Sequence, residues 1–253
     1  MRGKTYGKTD SAGTENMPEG RENDMNHRSA GGYRTAVFDL DGTILDTLED
    51  LYGSVNAALR SVNLPARSRE EVRQAVGNGV FRLMQLSVQP ETPEAVLQQA
   101  FSVFQADYAV HCADHTAPYP GIPQMLGRLR VAGIRLAVVS NKSDSAVQKL
   151  IRQYFPGLFD SVAGEQPGVR RKPAPDTVNR CLAELSADRR TAVYIGDSEV
   201  DLETAANAAM DVISVSWGFR DRQVLERLGS PLIVSTAEEL EQAVCGNKGA
   251  GNK

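Results

Sequence analysis

The stretch FDLDGTILDT, residues 38–47, decides the fold, because it places two acids directly after a short apolar run. Asp39 follows Ala36, Val37 and Phe38, and Asp41 comes two residues later. A charge without a partner at the end of a buried strand costs several kcal/mol. We therefore expect a cation beside these acids.

The composition describes a globular chain with no marked affinity for nucleic acid or membrane. The 253 residues suffice for one large domain, or for a core domain with a smaller insert. The net charge of −4 excludes a basic nucleic-acid surface. No apolar stretch approaches the roughly 20 residues that span a bilayer. Three widely spaced cysteines without a CxxC pair indicate a reducing compartment, which we take to be the cytoplasm.

Short apolar runs alternate with amphipathic stretches along most of the chain. We predict strands at 35–40, 134–140, 161–163, 192–195 and 212–215, and helices at 122–131, 144–154, 176–185 and 200–209. This alternation predicts an α/β fold, a Rossmann-like parallel sheet with helices on both faces. In such sheets, ligands bind at the carboxyl ends of the strands.

One interval, between residues 48 and 118, shows helical patterns but no strand. Ser68 and Glu71 form a capping-box pattern, and Thr92 with Pro93 predicts the start of a long helix. We therefore predict an all-helical cap domain at 49–117, inserted into a core domain at 33–48 and 118–245. The polar ends, 1–32 and 246–253, are predicted to be disordered tails.

Polar residues collect where the predicted strands end. In a parallel sheet these ends meet at one edge, which would then hold four carboxylates, a hydroxyl and a lysine. Oxygen ligands without nearby Cys or His favour Mg²⁺, which commonly binds carboxylates together with a phosphate oxygen. The sequence thus predicts a magnesium site among Asp39, Asp41, Asp197 and Asp201, with the hydroxyl of Ser140 and a lysine beside it, for a phosphorylated substrate.

Four motifs resemble those of the haloacid dehalogenase-like hydrolases, in the same order. They are FDLDGTILDT, VVSNK, RRKPAPD and GDSEVD. The helical insert resembles the C1-type cap of that family. The segment Gly77-Asn78-Gly79 and the stretch PGVRRKPAPD resemble phosphoglycolate phosphatase-like members. The resemblance covers residues 34 to about 244.

The resemblance implies a role for each acid. Asp39 would be the nucleophile that forms an aspartyl-phosphate, and Asp41 would be the general acid and then the general base. Mg²⁺ would be held by the carboxylates of Asp39 and Asp197, by the backbone carbonyl of Asp41, and by Asp201 through water. Lys172 and the cation would neutralise the phosphoryl group.

The remaining implied roles concern the substrate. Ser140 and backbone amides near Leu40 and Asn141 would bind phosphoryl oxygens. Gly42 would permit a close backbone approach, and Thr43 would anchor the loop. Asn78 and Gly79 would face the substrate from the cap. The implied partner is a small phosphorylated metabolite, bound by a monomer or homodimer.

Simpler interpretations exist for several of these residues. Asp39 and Asp41 alone would be ordinary turn acids. Asp201 would favour the first turn of its helix through the dipole, and residues 77–79 would be only a turn. We assign His111, Cys112 and His115, which have helical spacing suggestive of zinc, to the hinge of the cap instead. Trp217 either lines the pocket or lies in the core.

The predicted function is a Mg²⁺-dependent phosphatase acting on a metabolite such as 2-phosphoglycolate. A pyrophosphatase and a β-phosphoglucomutase-like phosphotransferase are the alternatives within the same chemistry. A dehalogenase would need neither Asp41 nor Mg²⁺. Outside enzymes, a non-catalytic binding module of the same fold is the remaining alternative.

Overall fold

The computed structural model describes residues 32–246. Its strands are, in chain order, β1 (Thr35–Phe38), β2 (Leu45–Asp46), β3 (Ala117–Pro118), β4 (Arg135–Ser143), β5 (Ser161–Glu165), β6 (Ala192–Gly196), β7 (Asp211–Val215) and β8 (Ile233–Val234). Six of these form one sheet in the order β5-β4-β1-β6-β7-β8, and every pair in it is parallel. The predicted parallel sheet is confirmed.

The helices within residues 32–246 include those that cover both faces of this sheet, as predicted, and those of an insert. They are α1 (Leu48–Ser61), α2 (Arg69–Ala75), α3 (Val80–Ser87), α4 (Glu94–His111), α5 (Ile122–Val131), α6 (Asp144–Tyr154), α7 (Asp176–Glu184), α8 (Glu199–Asn207), α9 (Arg222–Arg227) and α10 (Ala237–Cys245). Successive residues of a strand point to opposite faces. Phe38 accordingly packs with α5, α6 and α10, whereas Val37 packs with α7 and α8.

The central strand β1 places the site. It pairs with β4 on one side and with β6 on the other, and Thr35 is in register with both Arg135 and Ala192. The chain runs from β1 to β4 and β5 on one side, and then returns to β6, β7 and β8 on the other side. This reversal creates a topological switch point at the carboxyl end of β1. Asp39 stands at that point.

A four-helix segment, α1–α4, lies between β2 and β3, and we call it the helical segment. The chain enters and leaves it through a short antiparallel ribbon, in which Leu45 pairs with Pro118. The sequence analysis did not predict this ribbon, because two-residue strands are too short to show an alternating pattern. None of the helices within residues 32–246 has the length and apolar character that a membrane crossing needs.

The predicted start of helix α2 is confirmed, whereas helix α4 begins later than predicted. Ser68 and Glu71 form the expected capping box at α2. Helix α4 begins only at Glu94, because Pro93 has an extended ψ of 141°, and no side chain caps this end. The two predicted disordered tails lie, except for residues 32 and 246, outside the described residues.

Candidate active site

Asp39 is held at the end of β1 by a buried lysine. Lys172 Nζ lies 2.7 Å from Asp39 Oδ1, 2.9 Å from Asp201 Oδ1 and 3.0 Å from the hydroxyl of Tyr194. These three contacts use all three donors of the ammonium group. The sequence analysis predicted that Lys172 and Asp39 meet, and the structure brings them into direct contact.

The pKa of Asp39 is shifted by this environment. The pKa is raised from 3.8 to about 7, chiefly by burial and further by the charges of Asp201 and Asp41, against the opposing effect of Lys172. Burial alone would lower the pKa of Lys172, but the charges of Asp201 and Asp39 outweigh that effect and raise it. Lys172 therefore carries its positive charge, but this one charge does not neutralise all of the neighbouring carboxylates.

Three buried carboxylates lie close enough to hold one metal ion. One oxygen each from Asp39, Asp197 and Asp201 fall within 4.8 Å of one another. Asp197 Oδ2 accepts the backbone N–H of Phe219 at 2.6 Å, and Oδ1 accepts the hydroxyl of Thr43 at 3.3 Å. Burial, together with the charges of Asp201 and Asp39, raises the pKa of Asp197 well above its usual range.

The charges of the site favour a divalent cation. It contains four carboxylates, with Asp41 as the fourth, and their paired ammonium groups are those of Lys142 and Lys172. With all four acids ionised, two negative charges would be unbalanced, and burial together with this shortage of positive charge raises the pKa values of Asp39 and Asp197. An all-oxygen donor set with this excess fits Mg²⁺.

Asp201 also organises the loop that carries Asp197. Its Oδ2 accepts the backbone N–H of Ser198 at 3.1 Å and the hydroxyl of Ser198 at 2.7 Å. The first of these contacts belongs to the capping box of α8. Asp201 thus lies in the first turn of α8, as the simpler interpretation predicted, and also in the cluster of acids that could hold a metal ion.

Asp41 has a different set of partners. Its Oδ1 accepts the hydroxyl of Thr47 at 2.7 Å and lies 2.9 Å from Lys142 Nζ. Its Oδ2 lies 3.5 Å from the hydroxyl of Ser140, at the limit of hydrogen bonding. The Thr47 hydroxyl is thus directed at Asp41 and does not cap α1, whereas Asp46 accepts the N–H of Leu48.

The Asn141 side chain joins two loops. Its amide donates to the carbonyl oxygens of Lys172 and Gly77, and its oxygen accepts the N–H of Lys172. Asn141 thereby fixes the loop that delivers Lys172 to Asp39. Its predicted substrate contact stays a prediction.

Two of the predicted glycines make close approaches. Gly42 has φ +85°, and a Cβ there would overlap Asp197 Oδ2, so the position requires glycine. Gly79 has φ +82°, and its Cβ would stand 3.2 Å from Arg171 Nη1. Asn78 is half-buried and does not line the pocket described below, whereas both of its neighbours do.

A pocket opens above the acids, between the core and the helical segment. Its floor is polar, and its upper wall is apolar. The floor is formed by Asp39, Asp41, Ser140, Asn141, Lys142, Lys172, Asp197 and Ser198, and the wall by Leu51, Val76, Gly77, Gly79, Val80, Leu83 and Phe219.

The zinc interpretation of the hinge residues finds no support within residues 32–246. His111 pairs with Asp114, His115 pairs with the buried Asp50, and Cys112 is buried. The metal-compatible group of acid, His and Cys side chains in that range is the cluster around Asp39. Trp217 does not line the pocket, and its indole N–H donates to the carbonyl of Thr43.

Sequence reasoning missed two residues beside the acids. Lys142 Nζ touches Asp41 and lies 2.6 Å from the hydroxyl of Tyr108. Lys142 directly follows Asn141 at a strand end, so its position was a usable signal. Tyr108 lies on α4 with its ring buried, and it resembles any core aromatic residue in the sequence.

Comparisons with known proteins agree with this geometry. A family model described as haloacid dehalogenase-like hydrolase matches residues 36–215. The phosphoglycolate phosphatase of Caulobacter vibrioides is 32% identical over 217 residues, which cover 83% of this chain and 90% of that protein.

Two solved structures are also similar. A candidate phosphoglycolate phosphatase from Lactobacillus delbrueckii is 39% identical with a TM-score of 0.82, covering 85% of this chain and all of that chain. CbbY from Rhodobacter sphaeroides, solved in complex with phosphate, is 28% identical with a TM-score of 0.65, covering 82% of this chain and 96% of that chain.

Proposed function

Because the chain belongs to the haloacid dehalogenase-like hydrolase family and is a phosphatase of phosphate monoesters, we propose that it hydrolyses a small phosphorylated metabolite through an aspartyl-phosphate on Asp39. The predicted family is confirmed. The observation that best supports the proposal is the contact of Asp39 with Lys172 at the floor of the pocket. Asp39 lies there within a cluster of carboxylates that could hold a metal ion.

The first half-reaction transfers the phosphoryl group to the protein. The carboxylate of Asp39 attacks phosphorus, and the bond between phosphorus and the leaving oxygen breaks. Asp41 donates a proton to that oxygen, so the product leaves as an alcohol. Lys172 and Ser140 stand beside Asp39 and Asp41 and stabilise the charge on the phosphoryl oxygens.

The second half-reaction regenerates the acid. Asp41, now a carboxylate, takes a proton from a water molecule that attacks the phosphorus of the aspartyl-phosphate. The bond between phosphorus and the Asp39 oxygen breaks, and inorganic phosphate is released. The apolar wall from the helical segment limits bulk water during both steps.

Mg²⁺ fits the donors that the site presents. Asp39, Asp197 and the backbone carbonyl of Asp41 would hold it, and Asp201 would contribute through water. When bound, the ion supplies positive charge that neutralises the phosphoryl oxygens. The nearest acids remain oriented by Thr43, Phe219 and Ser198.

The substrate is proposed to be 2-phosphoglycolate or a metabolite of similar size. Relatives that cover most of this chain are phosphoglycolate phosphatases. We assign the helical segment as a cap domain at 49–117. It closes the pocket with Leu51, Val76, Val80 and Leu83, and Gly79 would approach the substrate from this side, whereas Asn78 does not line the pocket. The buried free thiols of Cys112 and Cys181 support a cytoplasmic location.

A panel of phosphorylated compounds tests this proposal. Hydrolysis of 2-phosphoglycolate, pyrophosphate and β-glucose 1-phosphate is measured with Mg²⁺ and with EDTA. We expect the highest kcat/KM for 2-phosphoglycolate, no rate in EDTA, and loss of about a thousandfold or more in Asp39→Asn. The matched control is Asp46→Asn, since Asp46 lies in the same stretch and its carboxylate accepts the backbone N–H of Leu48. Faster pyrophosphate hydrolysis, or full activity of Asp39→Asn, contradicts the proposal.

A further inference from the structure

A buried chain of contacts links the helical segment to Asp41. Tyr108 of α4 presents its hydroxyl 2.6 Å from Lys142 Nζ, and Lys142 Nζ lies 2.9 Å from Asp41 Oδ1. The ammonium also stands 4.5 Å from the centroid of the Tyr108 ring, a cation–π distance. Both Lys142 and Tyr108 are at most 5% exposed.

This chain distinguishes the two oxygens of Asp41. Oδ1 is bound on two sides, by the hydroxyl of Thr47 and by Lys142. Among the contacts within residues 32–246, Oδ2 has only the long one with Ser140, and Asp41 lines the pocket. The contacts at Oδ1 therefore restrain the Asp41 side chain and leave Oδ2 as the oxygen available to a substrate in the pocket.

We infer that Lys142 is a positioning residue for Asp41 and that Tyr108 holds Lys142 in place from the helical segment. The inference rests on the proposed function. In the step that it affects, Asp39 attacks phosphorus, the bond from phosphorus to the leaving oxygen breaks, and the proton on Asp41 Oδ2 passes to that oxygen. Lys142 acts through Asp41 and does not itself exchange a proton.

The location of Tyr108 adds a structural condition. Lys142 and Asp41 belong to the core, at the ends of β4 and β1, whereas Tyr108 belongs to α4. The contacts from Tyr108 through Lys142 to Asp41 therefore require that α4 packs against the core. The orientation of Asp41 is thereby coupled to the packing of the helical segment.

Leaving-group dependence tests the inference, because a misplaced acid harms only substrates whose leaving group needs a proton. The substrates are 2-phosphoglycolate, which releases an alkoxide, and p-nitrophenyl phosphate, which releases a stable phenolate. kcat/KM is compared for wild type, Tyr108→Phe, Lys142→Met and the double variant. Thermal unfolding confirms that each variant folds, and Tyr108→Phe keeps the ring should Lys142→Met fail to fold.

The matched control is Lys149→Met. Lys149 lies on α6 and, like Lys142, contacts α4, in its case through the carbonyl of Ala109. Its side chain does not contact Asp41. Its substitution should leave the ratio of the two kcat/KM values unchanged.

We expect Lys142→Met to lower kcat/KM for the alkyl ester by roughly 30-fold or more and for the aryl ester by less than about 3-fold. Tyr108→Phe should show the same selectivity with a smaller effect, and the double variant should be no worse than Lys142→Met. Equal losses for both esters, or no loss for either, overturn the inference and leave the proposed function standing. Hydrolysis that survives Asp39→Asn, or wild type that hydrolyses neither ester, overturns the proposed function and the inference with it.

Discussion

Lys172 Nζ lies 2.7 Å from Asp39 Oδ1, although 133 residues separate the two in sequence. Both side chains are almost fully buried. Neither would be stable there alone, because an isolated buried charge is strongly unfavourable. The contact therefore depends on the sheet, which brings the end of β1 next to the loop before α7.

Removing Lys172 should destabilise the protein. Lys172→Met leaves Asp39 and Asp201 buried without their shared cation, at a cost of about 3 kcal/mol in the free energy of unfolding. Urea unfolding in EDTA measures this cost. Arg190→Met is the control, since its ion pair with Asp188 is exposed and worth less than about 1 kcal/mol. Equal effects of the two substitutions would contradict the assignment.

Magnesium should stabilise the folded protein through Asp197. At a concentration 100 times its Kd, an ion that binds only the folded state adds about 2.7 kcal/mol. Thermal unfolding with Mg²⁺ and with EDTA should show this difference in wild type and not in Asp197→Asn. The exposed Asp188→Asn should keep the full shift. A shift that Asp197→Asn retains would place the ion elsewhere.

Magnesium affinity should rise with pH. The pKa of Asp39 is raised from 3.8 to about 7, mainly by burial, so below that pH a proton occupies a proposed ligand. Binding must then displace the proton, and the Kd should be about tenfold weaker at pH 6 than at pH 8. Isothermal titration calorimetry at both pH values measures it. Equal Kd values would show that Asp39 does not compete for a proton and the ion.

Gly42 should be far less replaceable than another glycine of similar backbone geometry. Gly42 and Gly133 have φ of +85° and +82°, so an alanine is strained at either position. At Gly133 no atom lies within 4 Å of the added Cβ, and the cost should be about 1 kcal/mol. At Gly42 the Cβ would overlap Asp197, so Gly42→Ala should also abolish the Mg²⁺ shift. If Gly42→Ala and Gly133→Ala had equal stability and an equal thermal shift with Mg²⁺, the close approach of Gly42 to Asp197 would not matter, which contradicts the prediction.

The sequence was sufficient for the parts of the site that lie at strand ends. Asp39, Ser140 and Asp197 each follow an apolar run, so the predicted parallel sheet was enough to bring them together. Lys172 needed the family resemblance, because Arg170 and Arg171 precede it and a basic triplet in a loop is usually solvated.

Contacts that depend on packing between the helical segment and the core were not predictable. The Tyr108 hydroxyl meets Lys142 only because α4 lies against the end of β4. Nothing in the local pattern of α4 distinguishes this tyrosine from its neighbours. The side chain of Asn141 is engaged by Lys172 and Gly77, which no spacing rule indicates, and the predicted contact of its backbone amide with the substrate stays a prediction.

Chemical trapping of the intermediate tests the central claim most directly. The protein is mixed with 2-phosphoglycolate and Mg²⁺, quenched in acid during turnover and reduced with borohydride, which converts an aspartyl-phosphate to homoserine. Peptide mass spectrometry then locates the reduced residue. The account predicts homoserine at residue 39 in wild type and at no position in Asp39→Asn. Homoserine at another aspartate, or an unreduced residue 39 in protein that was turning over, would contradict it.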